Sequence, residues 1–271
     1  MSDLNLDATQ LDRYSRHVVM DEVGPDGQAA LLDASTLVVG AGGLGAPAIQ
    51  YLAAAGVGRL GIADDDVVER SNLQRQVIHA DDDVGRSKAT SAREFVEALN
   101  PDVDVETYET RVDRDTVSDL VNDYDVVVDA TDNFPTRYLL NDACVLAETP
   151  LCHGAIYRFE GQATTIAPGG GPCYRCLFAE PPEPGTVPDC ATTGVLGVLP
   201  GTIGCVQATE AIKTIIGIGT PLHGRVFTYD AADLTTDEVP YRATPDCPIC
   251  GDDSVDSLAS QTYQETCAVP E

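Results

Sequence analysis

Short apolar runs alternate along this chain with longer segments whose apolar positions recur at helical spacing. Leu11, Tyr14, Val18 and Val19 fall on one face of a helix over residues 9–22, with Arg13 and Arg16 on other faces. A second short helix over 27–33 leads into the first apolar run, Leu37–Val39, which reads as a buried strand. Gly40, Gly42, Gly43 and Gly45 follow, then an Ala-rich helical pattern from about Leu44 to Ala55. A second run, Leu60–Ala63, ends in Asp64, Asp65 and Asp66. Strand, glycine turn, helix, strand, acid is the first βαβ unit of a nucleotide-binding sheet. The glycines let the backbone turn tightly and let a phosphate approach the helix N-terminus. Asp64 stands where a carboxylate accepts hydrogen bonds from ribose hydroxyls.

The alternation continues downstream. Ser71 or Asn72 caps a short turn, and a helix over 85–99 is ended by Asn100-Pro101. Residues 103–108 alternate as a strand, and DVVVDA (125–130) is another buried strand, followed by a helix with Asp132 or Asn133 near its cap. Residues 150–157 and 161–167 read as two more strands. From 168 the chain is rich in Pro, Gly and Cys and reads as a long loop, with cysteines that favour a functional role. A helix over 199–216 and a hairpin, 225–230 with 234–239, complete the pattern, and the last twenty residues are polar without evident structure. These elements make an α/β fold: a Rossmann-like, doubly wound, mostly parallel sheet extended by antiparallel strands.

Composition narrows the setting. The 271 residues suit one large α/β domain or two small ones. No apolar run is long enough for a bilayer and the N-terminus lacks a secretory pattern, so a soluble cytoplasmic protein is expected. The net charge is −28, from 44 acids against 16 bases, and only two of the bases are lysines, Lys88 and Lys213. The acids are dispersed and 43% of the residues are hydrophobic, so disorder does not explain the charge. Dispersed acid with arginine kept and lysine nearly absent is the pattern of adaptation to high salt, where charge preserves solubility and screening mutes repulsion; it points to a halophilic archaeon. It argues against nucleic acid as a partner. In such a chain each lysine points to a site that wants an ammonium. The nine cysteines of a cytoplasmic chain are thiols, metal ligands or nucleophiles rather than disulfides.

Three groups of residues carry chemistry. Cys173, Cys176, Cys247 and Cys250 form two CxxC motifs that suit a structural, tetrahedral Zn2+; a redox CxxC expects a thioredoxin-like setting and needs no second copy. Arg16, Arg75 and Lys88 gather cations around the glycine loop, more than a dinucleotide needs and suited to a triphosphate attacked at its α-phosphorus. The plainer alternative for Arg75 and Lys88 is surface charge. Asp132 can hold Mg2+ beyond the end of the DVVVD strand, or serve only as a helix cap. Cys190, in a Pro/Gly loop, is a candidate thiolate nucleophile or a packing residue. Cys144, Cys152 and Cys205 lie in apolar patterns and read as buried and inert, and Cys267 is unassigned.

GAGGLG, DDDVVERSNLQRQ, VGRSKA, DATDN, CYRC, DC-TTGVLGV-PG-IG, QA-EAIK and CPIC, in this order over roughly residues 10–251, resemble the ThiF/MoeB family, relatives of the ubiquitin-activating enzymes. The resemblance implies ATP-dependent adenylation of the C-terminal glycine of a small ubiquitin-fold protein. A thioester or thiocarboxylate then forms, for sulfur transfer to molybdenum cofactor or tRNA, or for protein conjugation. It implies that Gly43, Asp64, Asn72, Arg75, Lys88 and Asp132 contact ATP or its Mg2+. Ser71, Leu73, Gln74 and Asn133, in the same two segments, join that nucleotide set. Arg16 would reach the partner subunit's phosphates in a homodimer, and Cys190 falls at the family's cysteine position, which not every member uses covalently. The chain stops before the sulfur-transferring rhodanese domain of some relatives, so a separate sulfur donor protein is expected.

On this reading residues 1–251 form an adenylation domain, with an N-terminal helical segment (9–33), a nucleotide-binding core (35–167) and a cysteine loop and zinc region (168–251). Residues 252–271 are a polar tail. Two alternatives are a dinucleotide oxidoreductase, disfavoured by the cation set, and an inactive activating-enzyme scaffold, disfavoured by the retained Arg75, Lys88 and Asp132.

Overall fold

Leu37–Val39 and Val126–Val128, buried on both faces, lie side by side at the centre of an eight-stranded sheet. The computed structural model describes residues 6–169, 171–181 and 194–263. The strands are β1 (Ser35–Val39), β2 (Arg59–Ala63), β3 (Asp104–Tyr108), β4 (Val126–Asp129), β5 (Leu151–Tyr157), β6 (Glu160–Ile166), β7 (Arg225–Asp230) and β8 (Thr235–Pro240), in the order β3-β2-β1-β4-β5-β6-β7-β8. The first five are parallel. β6, β7 and β8 extend the sheet antiparallel.

The nine helices of the described residues are α1 (Ala8–Arg13), α2 (Ser15–Val18), α3 (Gly24–Asp33), α4 (Gly45–Ala55), α5 (Lys88–Leu99), α6 (Val117–Asn122), α7 (Phe134–Leu146), α8 (Tyr174–Leu177) and α9 (Val198–Ile216). Alternation along the central strands sends side chains to opposite faces. Val38, Ile62 and Val128 join a core with Ile49 and Leu52 of α4 and Leu199 and Ile203 of α9. Leu37, Val39 and Val127 join a second core with Val121 of α6, Leu139 and Leu140 of α7, and Cys173, Cys247 and Ile249. Helices cover both faces, which is why the parallel strands are continuous apolar runs rather than alternating ones. No helix among the described residues is long and apolar enough to cross a membrane.

Four expectations change in detail. The helix expected over 9–22 breaks at Tyr14, whose buried ring turns inward beneath Gly56; its hydroxyl accepts from Asn100 Nδ2 (2.8 Å) and donates to Asp102 (3.3 Å). Val19 is exposed rather than on the buried face. The helix expected from Gly85 begins at Lys88, because Gly85 has φ +90° and the Ser87 hydroxyl caps the helix by accepting from Thr90 N. The long loop contains α8, and the polar tail is not featureless: Leu258 is buried and the Tyr263 hydroxyl donates to Asp142 of α7 at 2.7 Å.

Candidate active site

In this strand order the connections leave β1 and β4 in opposite directions, so a crevice opens between their carboxyl ends, where doubly wound sheets bind ligands. Two glycines shape its floor. Gly40 has φ +98°, and a Cβ there would fall 2.7 Å from the Ala130 carbonyl. At Gly45 a Cβ would lie 1.8 Å from the Gly40 carbonyl, so only hydrogen lets the loop close onto the start of α4. Ala41 is fixed at both ends: its N–H donates to Asp64 Oδ2 at 2.7 Å, and its carbonyl accepts from His79 Nε2 at 3.0 Å. Ser91 Oγ lies 2.8 Å from the other ring nitrogen. Burial holds the His79 pKa below its ordinary value, which keeps it neutral as a pin between the loop and α5.

The crevice encloses about 420 Å³, lined among others by Gly43, Asp64, Arg75, Lys88, Asp132 and Asn133. Six of the sequence-derived nucleotide residues therefore converge in one cavity. Burial raises the Asp64 pKa, opposed by the Lys88 ammonium and by the N–H groups of Ala41 and Asp66. Lys88, buried at the first position of α5, has its ammonium 2.8 Å from Asp66. Arg75 Nη1 donates to the Ser71 carbonyl at 3.2 Å.

The remaining members of that set act differently. Asn72 is buried outside the cavity lining, where its side chain accepts from Glu69 N at 3.0 Å and its carbonyl receives the N–H groups of Arg75 and Gln76. It builds the turn that aims Arg75. Ser71 and Gln74 are exposed and Leu73 half-buried, and none lines the cavity. Asn133 is the cap of α7, accepting from Thr136 N at 3.0 Å, so the capping role does not fall to Asp132, which is exposed in the cavity. Arg16 is exposed on α2 and is not among the lining residues. Cys190 and Cys267 lie outside the described residues. Cys144 and Cys152 are buried as expected, whereas Cys205 is only half-buried.

A second cavity of about 650 Å³ joins the first through Asp132, Arg137 and Ile156. Sequence reasoning missed Arg137, and also the buried pair beneath it. Asp129, the last residue of β4, takes a hydrogen bond from His153 Nδ1 at 2.7 Å through Oδ2. Its Oδ1 accepts from Thr131 N (3.0 Å) and Thr131 Oγ1 (2.6 Å). A carboxylate ending the DVVVD strand was the available signal.

On the α7 face the four CxxC sulfurs all lie within 4.8 Å of one another, with Cys173 and Cys247 at 3.7 Å and Cys176 and Cys250 at 3.3 Å. A tetrahedron with M–S distances of about 2.3 Å has edges of about 3.8 Å, so the set fits a tetrathiolate metal site, while a disulfide needs about 2.05 Å. Burial pushes the Cys173 thiol up, and the neighbouring cysteines add to it, so thiolate at this position calls for a cation. Asn141 Oδ1 accepts from Tyr174 N at 2.7 Å, and Arg175 grips Asp142 with two hydrogen bonds of 2.7 and 2.8 Å, fastening the first CxxC to α7.

Residues 14–249 match the ThiF family, and the chain belongs to it. It is 68% identical over 266 residues to the SAMP-activating enzyme E1 of Haloferax volcanii, a halophilic archaeon, with 98% of each chain covered. It is 51% identical over 249 residues to the sulfur carrier protein adenylyltransferase of Thermus thermophilus, covering 90% of this chain and 92% of that one. The mouse adenylyltransferase and sulfurtransferase MOCS3 is 49% identical over 91% of this chain, which spans 54% of the longer mouse protein. The crystal structure of E. coli MccB with ATP shares the fold, with a TM-score of 0.77 at 23% identity, covering 90% of this chain and 75% of that one.

Proposed function

We propose that this chain uses ATP to adenylate the C-terminal glycine of small ubiquitin-fold proteins ending in Gly-Gly, and that the adenylate is then converted to a thioester or thiocarboxylate. The chain is an adenylyltransferase of the activating-enzyme type. The observation that carries this reading is the convergence of Asp64, Arg75, Lys88 and Asp132 in one crevice that opens into a second. A carboxylate oxygen entering from the second cavity attacks the α-phosphorus of a nucleotide in the first, and pyrophosphate leaves. Asp64 binds the ribose hydroxyls. The cations Arg75 and Lys88 stabilise the negative charge that builds on the phosphates as the bond forms. Asp132 would hold Mg2+, which when bound offsets phosphate charge through oxygen ligands. Cys173, Cys176, Cys247 and Cys250 would hold a structural Zn2+.

The exposure of Arg16 outside its own chain's cavity supports a homodimer in which Arg16 reaches the partner's phosphates. Cys190 supplies the thiol when a thioester forms, and a separate protein donates sulfur when a thiocarboxylate forms. We read residues 1–251 as one adenylation domain acting in the cytoplasm, without membrane or nucleic acid.

The test is ATP–pyrophosphate exchange with purified small proteins ending in Gly-Gly. Exchange that depends on the free C-terminal carboxylate is the expected result. Tight NADH binding with no exchange for any of these proteins would instead support the dinucleotide oxidoreductase.

A further inference from the structure

Arg137 is the cation best placed to meet the reacting group of the small protein. It sits in the first turn of α7, is 8% exposed, and lines both cavities where they join. Its Nη2 donates to the Thr131 carbonyl at 3.0 Å, and its Nε is buried without a hydrogen-bond partner. Among the described residues it has no carboxylate within ion-pair distance. Asp129 feels its charge, but both Asp129 oxygens are engaged by Thr131 and His153. The Phe134 ring, 5.3 Å from the guanidinium carbon, offers its face and no acceptor in its plane. A buried guanidinium with an unmet donor burdens the fold unless another group uses it.

The second cavity shows what that group is. Asp132, Glu160, Glu180, Asp230 and Asp237 all line it, and Arg137 is the one cation among its described lining residues. An extended chain ending in a carboxylate would be repelled along that route, except where Arg137 stands at its inner end. We infer that Arg137, whose guanidinium also meets the Tyr174 hydroxyl, receives the C-terminal carboxylate of the small protein at the mouth of the nucleotide cavity. The inference rests on the adenylation reading and adds the residue that recognises the reacting group. A planar guanidinium matches a carboxylate with two parallel hydrogen bonds, which a lysine cannot reproduce. Adenylation removes the carboxylate's charge, so Arg137 holds the substrate more strongly than the product.

The experiment uses a synthetic decapeptide ending in Gly-Gly, as free acid and as C-terminal amide, titrated calorimetrically into the protein without nucleotide. Wild type should bind the acid about 10- to 100-fold more tightly than the amide. Arg137→Gln should bind both peptides with the wild-type affinity for the amide. A purely structural role would weaken both peptides alike. Retained preference for the acid in Arg137→Gln, or none in wild type, overturns the inference. If Arg137→Gln fails to fold by circular dichroism, Arg137→Lys decides: its acid preference should drop by about tenfold, and an undiminished preference overturns the proposal. Failure of the adenylation reading has a separate signature, namely wild type that prefers the acid yet catalyses no pyrophosphate exchange with any Gly-Gly protein.

Discussion

Replacing Lys88 by Met should separate chemistry from scaffolding. Lys88 has a side chain only 8% exposed, and its ammonium pairs at 2.8 Å with Asp66, whose side chain is 69% exposed. Methionine keeps most of the aliphatic packing and removes the charge. In the resting protein the loss is one ion pair with a hydrated partner, which contributes about 0.2–1 kcal/mol, together with the ammonium's support of the buried Asp64 charge. Asp66 stays solvated after the change, and the desolvation of the ammonium is relieved. For a chain of this size 1 kcal/mol moves Tm by about 2–4 °C. In the reaction, by contrast, one transition-state donor is worth about 2.7–4 kcal/mol, a loss of about 10²- to 10³-fold in rate. The variant should therefore melt within about 4 °C of wild type by scanning calorimetry while pyrophosphate exchange falls by two orders of magnitude or more. Exchange within about threefold of wild type would remove Lys88 from the phosphate site. A Tm drop above about 10 °C would make it a structural residue instead.

Cys247→Ser should lose bound zinc by elemental analysis and melt at lower temperature, since a structural metal contributes folding energy directly; fully reduced, active protein without zinc would exclude the site. Cys190→Ser should leave pyrophosphate exchange near wild type, because the attacking group is a carboxylate, and should abolish any thiol-sensitive adduct with the small protein; an adduct that persists would move the nucleophile, with Cys267 next to test. Mixing inactive Arg16→Ala with inactive Asp132→Ala under subunit exchange should restore activity, and mixed dimers that stay inactive would refute donation across the interface. Burial holds the pKa values of His79 and His153 below the ordinary value of about 6.5, so the unfolded chain binds protons that the folded one refuses. Their cost is absent above that value and grows as pH falls through it, by up to about 1.4 kcal/mol per histidine per pH unit. His153→Gln should therefore show a shallower fall of Tm between about pH 7.5 and 5.5 than wild type, and equal slopes would exclude the assignment.

The central strands and glycine loop were legible because their requirements are local. A strand covered on both faces must be apolar throughout, and a closed turn at Gly40 and Gly45 admits no Cβ. Lys88 and Asp132 stood out against a background poor in lysine and at the end of an apolar strand. What sequence pattern could not supply were contacts between distant segments. Tyr14 is drawn inward by Asn100 and Asp102, nearly ninety positions away, which ends a helix that periodicity alone would continue. Tyr263 is anchored by Asp142 at a separation of 121 residues, so a tail with polar composition still docks. His79 and Arg137 were missed for the same reason. Nothing around them in the sequence says that one pins Ala41 and the other faces two cavities.

The buried carboxylate of Asp129 ties the fold to the chemistry. A carboxylate at the end of a strand that otherwise reads VVV is unfavourable unless fully hydrogen-bonded. Burial acts to raise its pKa, yet the hydrogen bond from His153 and the charge of Arg137 hold it below the ordinary value. Its Oδ1 fixes both the N–H and the hydroxyl of Thr131, and the carbonyl of Thr131 in turn receives Arg137. The carbonyl of Asp129 is bound by Gln207 Nε2 of α9 at 2.6 Å, and the same amide reaches Cys152 of β5 at 3.0 Å. One residue thus sets the turn that presents Asp132, holds the carbonyl that orients Arg137, and locks that turn to the sheet and to α9. Among the described residues, Asp132 and Arg137 are the two charged ones shared by both cavities. Their relative position is therefore fixed by the core rather than by loop packing, as pre-organised charge at a reacting centre requires.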